Sequence, residues 1–122
     1  MRKLLIRLLL SLYTISGRLI TAANKDENKR RQALCKNATF FSRLGLKVLG
    51  FSKRIRNIEA LESHKGGLLV VSNHMSYMDI AVLASIRPFV FISSVDMREE
   101  SFVGKIAELG GTYFVERRNP AK

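Results

Sequence analysis

Residues 3–21 carry polar side chains at the spacing of an α-helix. The polar positions recur every three or four residues, and most of the remaining positions are Leu, Ile or Tyr: Lys3, Arg7, Ser11, Thr14, Arg18 and Thr21. At about 100° per residue, these positions share one narrow stripe of a helix surface. The pattern predicts an amphipathic helix with a broad apolar face.

The charges within this helix bear on how it would meet a membrane. Its longest uncharged stretch, residues 8–17, is ten residues long, whereas a conventional span needs about 20. We therefore expect the helix to lie in the plane of a membrane surface. An ordinary core helix is one alternative. A secretory signal or short span is another, because the basic start and Thr21-Ala22-Ala23 resemble a signal peptide, although Arg7 and Arg18 argue against it.

Residues 29–49 repeat the helical pattern after a polar connection at residues 24–28. The predicted apolar side contains Leu34, Phe41, Leu44 and Val48, and the predicted polar side contains Lys29, Gln32, Lys36, Thr39, Arg43 and Lys47. We interpret residues 1–50 as a basic amphipathic helical hairpin that binds a membrane. The alternative is a helical pair packed on the rest of the protein with a solvated charged side.

The positive charge is concentrated in the first half of the chain. Residues 1–57 hold 14 basic and two acidic residues, while residues 58–122 hold seven basic and eight acidic residues. This asymmetry indicates an anionic partner. The aromatic residues of the basic half lie among apolar residues and not between cations, which argues against nucleic acid. We therefore expect an anionic membrane surface as partner and no nucleic acid.

Short apolar runs alternate with helical patterns in the second half. We predict strands at residues 68–71, 89–94 and 112–115, and helices at residues 79–86 and 99–109. This order predicts an α/β fold with a largely parallel sheet. Only seven residues follow the third strand, so we expect residues 51–122 to be the amino-terminal part of a truncated α/β domain. Cys35, the single cysteine, is interpreted as structural.

His74 and Asp79 lie just after the first predicted strand, where open α/β sheets commonly build their sites. A carboxylate against one ring nitrogen would fix the tautomer of His74 and leave the other nitrogen free to accept a proton. The structural alternative is a helix start, because Ser76 and Asp79 also match the capping box S-x-x-D.

Arg117 follows the third predicted strand. Its planar guanidinium would suit a phosphate. The alternatives are a surface ion pair with Glu116 and, for Gly111, a helix-terminating glycine. His64 is interpreted as a solvated turn residue.

Two blocks of sequence resemble a known family. Residues 73–79, Asn-His-Met-Ser-Tyr-Met-Asp, resemble the N-H-x-S-x-x-D block of the glycerolipid acyltransferases, whose best-known members are the 1-acylglycerol-3-phosphate acyltransferases. Residues 111–117 resemble the second block of that family, G-x-x-F-x-x-R. The order and spacing of the blocks and the Phe-Val-Gly at residues 102–104 agree with the family. The basic leader resembles its two-helix membrane motif in character.

The resemblance implies an activity and roles for residues. The activity is transfer of a fatty acyl group from acyl-CoA or acyl carrier protein to the hydroxyl of lysophosphatidic acid or a related lysophospholipid, in phospholipid biosynthesis. His74 would be the base, Asp79 would orient it and Arg117 would bind the acceptor phosphate. Gly111, Asn73 and Ser76 would support acceptor binding.

The resemblance also implies no metal and no cofactor beyond the thioester cosubstrate. It implies a membrane-associated location, at the cytoplasmic face of the inner or cell membrane. A noncatalytic membrane-surface binding module is the alternative function.

The sequence also departs from the family pattern. Ser94 and Ser101 stand where relatives commonly carry a lysine and a proline. The third block of the family, a Glu-Gly pair followed by Ser or Thr, and the proline-bearing fourth block do not occur in these 122 residues. We therefore expect the chain to be the amino-terminal part of such an enzyme, and the activity of these residues alone is left open.

Overall fold

In the computed structural model, which describes residues 1–118, the chain forms six helices and two strands. In chain order they are α1 (Arg2–Ala23), α2 (Glu27–Leu49), α3 (Ile58–Glu62), α4 (Tyr77–Ile86), β1 (Ile92–Ser94), α5 (Val95–Glu99), α6 (Ser101–Leu109) and β2 (Tyr113–Val115). The two predicted amino-terminal helices are present. The division into domains at residues 1–50 and 51–122 stays a prediction.

Local signals in the sequence set both ends of α2. The side chain of Asp26 accepts a hydrogen bond of 2.9 Å from the amide of Lys29 at the start of the helix. Gly50 ends it in the left-handed conformation, with φ at 78°, and its amide bonds to the carbonyls of Leu46 and Lys47. These caps satisfy backbone groups that a helix terminus otherwise leaves without partners.

Helices α1 and α2 pack side by side. Tyr13 is buried on α1, and its ring meets Phe41 of α2 edge to face at 5.7 Å. Asn37 of α2 donates a hydrogen bond of 2.9 Å to the hydroxyl of Ser16 on α1. The predicted polar side of α2 is wrong at Thr39, which is 5% exposed. Its hydroxyl donates to the carbonyl of Cys35, so this polar group is buried without losing a hydrogen-bond partner.

Basic side chains join α2 and the segment after it to the end of α4. Arg43 donates to the carbonyls of Ser85 and Ile86 at 2.7 and 3.0 Å. Lys53 donates to the carbonyl and hydroxyl of Ser85 at 3.2 and 2.5 Å. The last carbonyls of a helix lack intrahelical partners and lie at its negative end, so these cations stabilise the α2–α4 packing.

Strands β1 and β2 form a parallel pair, in the register Ile92 with Tyr113, Ser93 with Phe114 and Ser94 with Val115. Both strands lie inside predicted strands and the parallel pairing agrees with the prediction. The connection between them contains two helices, whereas one was predicted over residues 99–109. The helical path breaks at Glu100, where the backbone is extended.

The predicted strand at residues 68–71 is wrong. In residues 1–118 this run pairs with no strand, and Leu69 and Val71 are 78% and 86% exposed. Together with residues around α3 and with Ile86 it lines an open apolar groove of about 460 Å³. An apolar run becomes a buried strand only when other strands and helices cover it, and within residues 1–118 all four residues of this run stay exposed. Within residues 1–118 the fold is therefore mostly helical with a two-stranded parallel sheet, and this sheet lacks the strand that the sequence predicted at residues 68–71.

A pair of helical glycines gives a test of the packing. A Cβ on Gly104 of α6 would overlap the carbonyl oxygen of Arg98 and lie 2.7 Å from that of Met97, whereas a Cβ on Gly45 of α2 would meet nothing within 4 Å. We expect Gly104→Ala to destabilise the protein by roughly 1–3 kcal/mol, because backbone must move. Gly45→Ala should stabilise it by about 0.5–1 kcal/mol through helix propensity. Thermal unfolding of both variants checks this, and equal shifts would contradict the packing at α6.

Candidate active site

The turn before α4 brings together three of the residues predicted from the sequence. Ser76 is the N-cap of α4, and its hydroxyl accepts a hydrogen bond of 3.2 Å from the amide of Met78. Oδ2 of Asp79 accepts hydrogen bonds from the amides of Met75 and Ser76, at 2.7 and 2.8 Å. The predicted capping box is therefore present, and it fixes the carboxylate of Asp79 at the start of the helix.

The imidazole of His74 lies on the same carboxylate oxygen. Its Nδ1 is 3.5 Å from Oδ2 of Asp79, and the two side chains are 55% and 40% exposed. At this distance the pair is an electrostatic contact, and a modest movement would shorten it to a hydrogen bond. The capping alternative and the His–Asp interpretation thus do not exclude each other, because one carboxylate contacts both the turn amides and the imidazole.

The hydrogen bonds to this carboxylate change its acidity. The amides of Met75 and Ser76 hold the pKa of the Asp79 carboxyl below its ordinary value, and the attraction of His74 lowers this pKa further. Asp79 is therefore negatively charged at neutral pH. A fixed anion beside Nδ1 favours the tautomer that carries its proton there. Nε2 of His74 is then the nitrogen able to accept a proton.

The second predicted block lies around β2. Gly111 is buried with φ at 79°, and a Cβ there would lie 3.0 Å from both the carbonyl oxygen of Arg31 and the Sγ of Cys35. This close approach of α2 explains the glycine without an acceptor contact. Arg117 lies two residues after β2 and is exposed. Its predicted alternative, an ion pair with Glu116, is not formed among the described residues.

The two blocks are not joined in the described part of the chain. His74, Ser76 and Asp79 lie in or next to one turn, and Asn73 precedes it in an exposed stretch without regular secondary structure. No hydrogen bond or ion pair within residues 1–118 links this turn to Gly111 or Arg117. The physical reason is that residues 68–71, which lead into the turn, do not pair with β1. The predicted roles of these residues stay proposals.

One residue that the sequence did not single out connects the helical hairpin to the second block. Arg31 of α2 donates from Nη1 to the carbonyl oxygens of Gly111 and Thr112, at 3.1 and 3.2 Å. The only signal in the sequence is its spacing of three and four residues from Leu34 and Cys35, which places it on the buried side of α2. The partner carbonyls lie 80 and 81 residues away along the chain, so no local sequence pattern marks them.

Comparisons with known proteins agree on one family. The acyltransferase family model matches residues 52–122. The lyso-ornithine lipid O-acyltransferase of Brucella abortus is 40% identical over 84 residues, which are 68% of this chain and 30% of that protein. The 1-acyl-sn-glycerol-3-phosphate acyltransferase of Neisseria gonorrhoeae is 32% identical over 56 residues, which are 46% of this chain and 22% of that protein.

The lyso-ornithine lipid O-acyltransferase of Pseudomonas aeruginosa is 36% identical over 56 residues, again 46% of this chain and 22% of the relative. The chain thus spans 30% or less of the length of these relatives. No solved structure shows a significant match.

The capping carboxylate gives a prediction on pH. Because the folded-state pKa of Asp79 is lowered, its charge stabilises the fold fully above the unfolded pKa of about 3.9. This stabilisation is lost as pH falls through the lower folded pKa. The difference in stability between the unmodified protein and Asp79→Asn should therefore shrink as pH falls below about 4. Urea unfolding at several pH values measures it, and a difference that does not shrink at acid pH would contradict the charged cap.

Proposed function

The chain belongs to the acyltransferase family, and on that premise we propose that the complete gene product acylates a hydroxyl of a lysophospholipid-like lipid. The donor is a fatty acyl thioester, acyl-CoA or acyl carrier protein. The observation that carries the proposal is the position of His74, whose Nδ1 lies 3.5 Å from a fixed carboxylate oxygen. This arrangement suits a general base.

The proposed reaction is direct transfer without a covalent enzyme intermediate. Nε2 of His74 takes the proton of the acceptor hydroxyl as the oxygen attacks the thioester carbonyl carbon. The carbon–sulfur bond then breaks, and the leaving thiolate takes the proton back from His74. Asp79 stabilises the imidazolium that forms between these two steps.

Arg117 is the proposed ligand of the acceptor headgroup. Its guanidinium is exposed just past the carboxyl end of β2 and can bind phosphate or carboxylate through two parallel hydrogen bonds. Lysophosphatidic acid, which carries a phosphate, is the acceptor proposed from the sequence blocks.

A second candidate acceptor is a lyso-ornithine lipid, which offers the carboxylate of an amino-acid headgroup. The longer match, over 84 residues, favours it. Ser94 favours it too, because it ends β1 beside Val115 and supplies no second cation near Arg117. A singly charged carboxylate requires less positive charge than a phosphate.

The helical hairpin is proposed to hold the protein on an anionic membrane surface. By length and composition α1 could cross a membrane, and among the described residues no other helix could. Its contacts favour a position in the membrane plane. The hydroxyl of Tyr13 donates to the carbonyl of Ile106 at 2.8 Å, and Gly17 lies against Leu109, so the middle of α1 is packed on α6. The opposite side presents an exposed apolar row to lipid: Leu4, Leu8, Leu12, Ile15 and Leu19.

The role of His74 is tested with the other histidine as control. His74→Ala in the complete gene product should lower kcat for acyl transfer from acyl-CoA by about 10² to 10⁴. His64→Ala should leave it unchanged, because the exposed His64 ring contacts only the nearby carbonyl of Gly67 in the described residues. An unaltered rate in His74→Ala would show that His74 is not the base. If the unmodified protein is folded but transfers no acyl group to any acceptor tested, the noncatalytic alternative is favoured.

The role of Arg117 in acceptor binding is tested by replacing it and, as a control, the adjacent Arg118. Arg117→Gln should raise the KM for the true acceptor by about tenfold to a hundredfold. Arg118→Gln should have little effect, because its guanidinium lies 3.8 Å from Asp96 in an exposed pair. Steady-state assays with lysophosphatidic acid and with lyso-ornithine lipid identify the acceptor. A KM for both acceptors that is insensitive to Arg117 would contradict its role.

Membrane binding is tested by placing an amide in the apolar row of α1. Leu19 is 65% exposed and Leu69, far from α1 in sequence, is 78% exposed. Leu19→Gln should weaken binding to phosphatidylglycerol-containing vesicles by about tenfold, because a buried leucine side chain is lost from the interface. Leu69→Gln is the control and should not. Equal effects in co-sedimentation, or binding that persists on neutral vesicles at high salt, would contradict the proposed surface.

A further inference from the structure

Arg31 binds the turn that starts β2 and Glu27 of its own helix through the two terminal nitrogens of its guanidinium. Nη1 donates to the carbonyls of Gly111 and Thr112, and Nη2 donates to Glu27 at 2.8 Å. The guanidinium carbon also lies 5.1 Å from the ring centroid of Tyr113, the first residue of β2. The side chain is 22% exposed. Three directional hydrogen bonds and an aromatic contact hold the guanidinium of Arg31 in one orientation, and this guanidinium in turn holds the turn before β2 in place.

The backbone of this turn fits closely against α2. The oxygen of Arg31 and the Sγ of Cys35 would each lie 3.0 Å from a Cβ at Gly111. On the other side, the hydroxyl of Tyr13 lies 3.1 Å from the Cβ position of Gly110. Helices α1 and α2 therefore limit how far the turn can move in two directions.

The same turn determines where Arg117 lies. Only the three residues of β2 and Glu116 separate Thr112 from Arg117. At about 3.3 Å per residue, Arg117 lies within about 17 Å of Thr112, one of the residues that Arg31 contacts. The register of β2 against β1 is held by three residue pairs. A shift of the turn would therefore be passed along a short, extended segment to Arg117.

We propose that Arg31 is a positioning residue for acceptor binding, which acts through β2 to place Arg117. The inference rests on the proposed headgroup role of Arg117. It also assigns the helical hairpin a second task besides membrane binding, because the residue that places the headgroup ligand belongs to α2.

A double-mutant cycle on acceptor KM tests the inference. In the complete gene product, Arg31→Gln should raise acceptor KM by about tenfold and leave kcat and donor KM unchanged. In the Arg117→Gln background the same change should have no further effect, because the residue it acts through is gone. Lys105→Gln removes the same charge from an exposed site on α6, outside the helical hairpin, and should leave acceptor KM unchanged.

Each other outcome overturns a defined part of the proposal. If Arg117→Gln raises acceptor KM and Arg31→Gln does not, the Arg31 inference alone is wrong. If the effects of Arg31→Gln and Arg117→Gln on acceptor KM add in the double variant, the Arg31 inference is also wrong. The same holds if Arg31→Gln changes donor KM and kcat as much as acceptor KM, because Arg31 would then have a general structural role. If Arg117→Gln leaves acceptor KM unchanged, the proposed role of Arg117 is wrong and the Arg31 inference is lost with it.

Arg31→Lys provides the test if circular dichroism shows that Arg31→Gln is unfolded. A lysine keeps the charge but cannot reproduce the bonds to both carbonyls and to Glu27 with one planar group. We expect acceptor KM to rise by about threefold with kcat unchanged. An acceptor KM equal to that of the unmodified protein would overturn the inference.

Discussion

The packing of α2 against the rest of the chain is the interaction on which the other elements depend. One part of this helix contacts α1, Arg43 binds the last carbonyls of α4, and Arg31 binds the turn before β2. Helix α4, which begins just after the turn that contains His74, and strand β2, which leads to Arg117, are thus both attached to α2. If α1 lies on a bilayer as proposed, the candidate base and the candidate headgroup ligand are held at a fixed height relative to the lipid.

Asp79 combines two tasks that are usually separate. Its carboxylate caps α4 through the amides of Met75 and Ser76, and it lies beside Nδ1 of His74. The capping bonds lower the pKa of the carboxyl, so the anion that would steady the imidazole is kept charged by the turn that also starts the helix. In the proposed mechanism, the start of α4 and the position of the proton on His74 therefore depend on one side chain.

Sequence patterns predicted those features that rest on neighbouring residues. The helical spacing gave α1 and α2, and the Ser76–Asp79 motif gave the start of α4. Features that depend on distant partners were missed or wrong. Residues 68–71 have the composition of a buried strand but find no strand partner within residues 1–118, and Arg31 meets carbonyls 80 and 81 residues away. Periodicity indicates which face of a helix or strand is apolar, but it does not indicate which part of the protein packs against that face.

The proton position on His74 tests the catalytic proposal most directly. In a ¹⁵N-labelled protein at alkaline pH, long-range ¹H–¹⁵N spectra distinguish a protonated Nδ1 of His74 from a protonated Nε2. A carboxylate beside Nδ1 predicts the Nδ1–H tautomer, with Nε2 free to accept a proton, and predicts that Asp79→Asn reduces this preference. A dominant Nε2–H tautomer, or a preference that Asp79→Asn leaves unchanged, would contradict the assignment of His74 as the base.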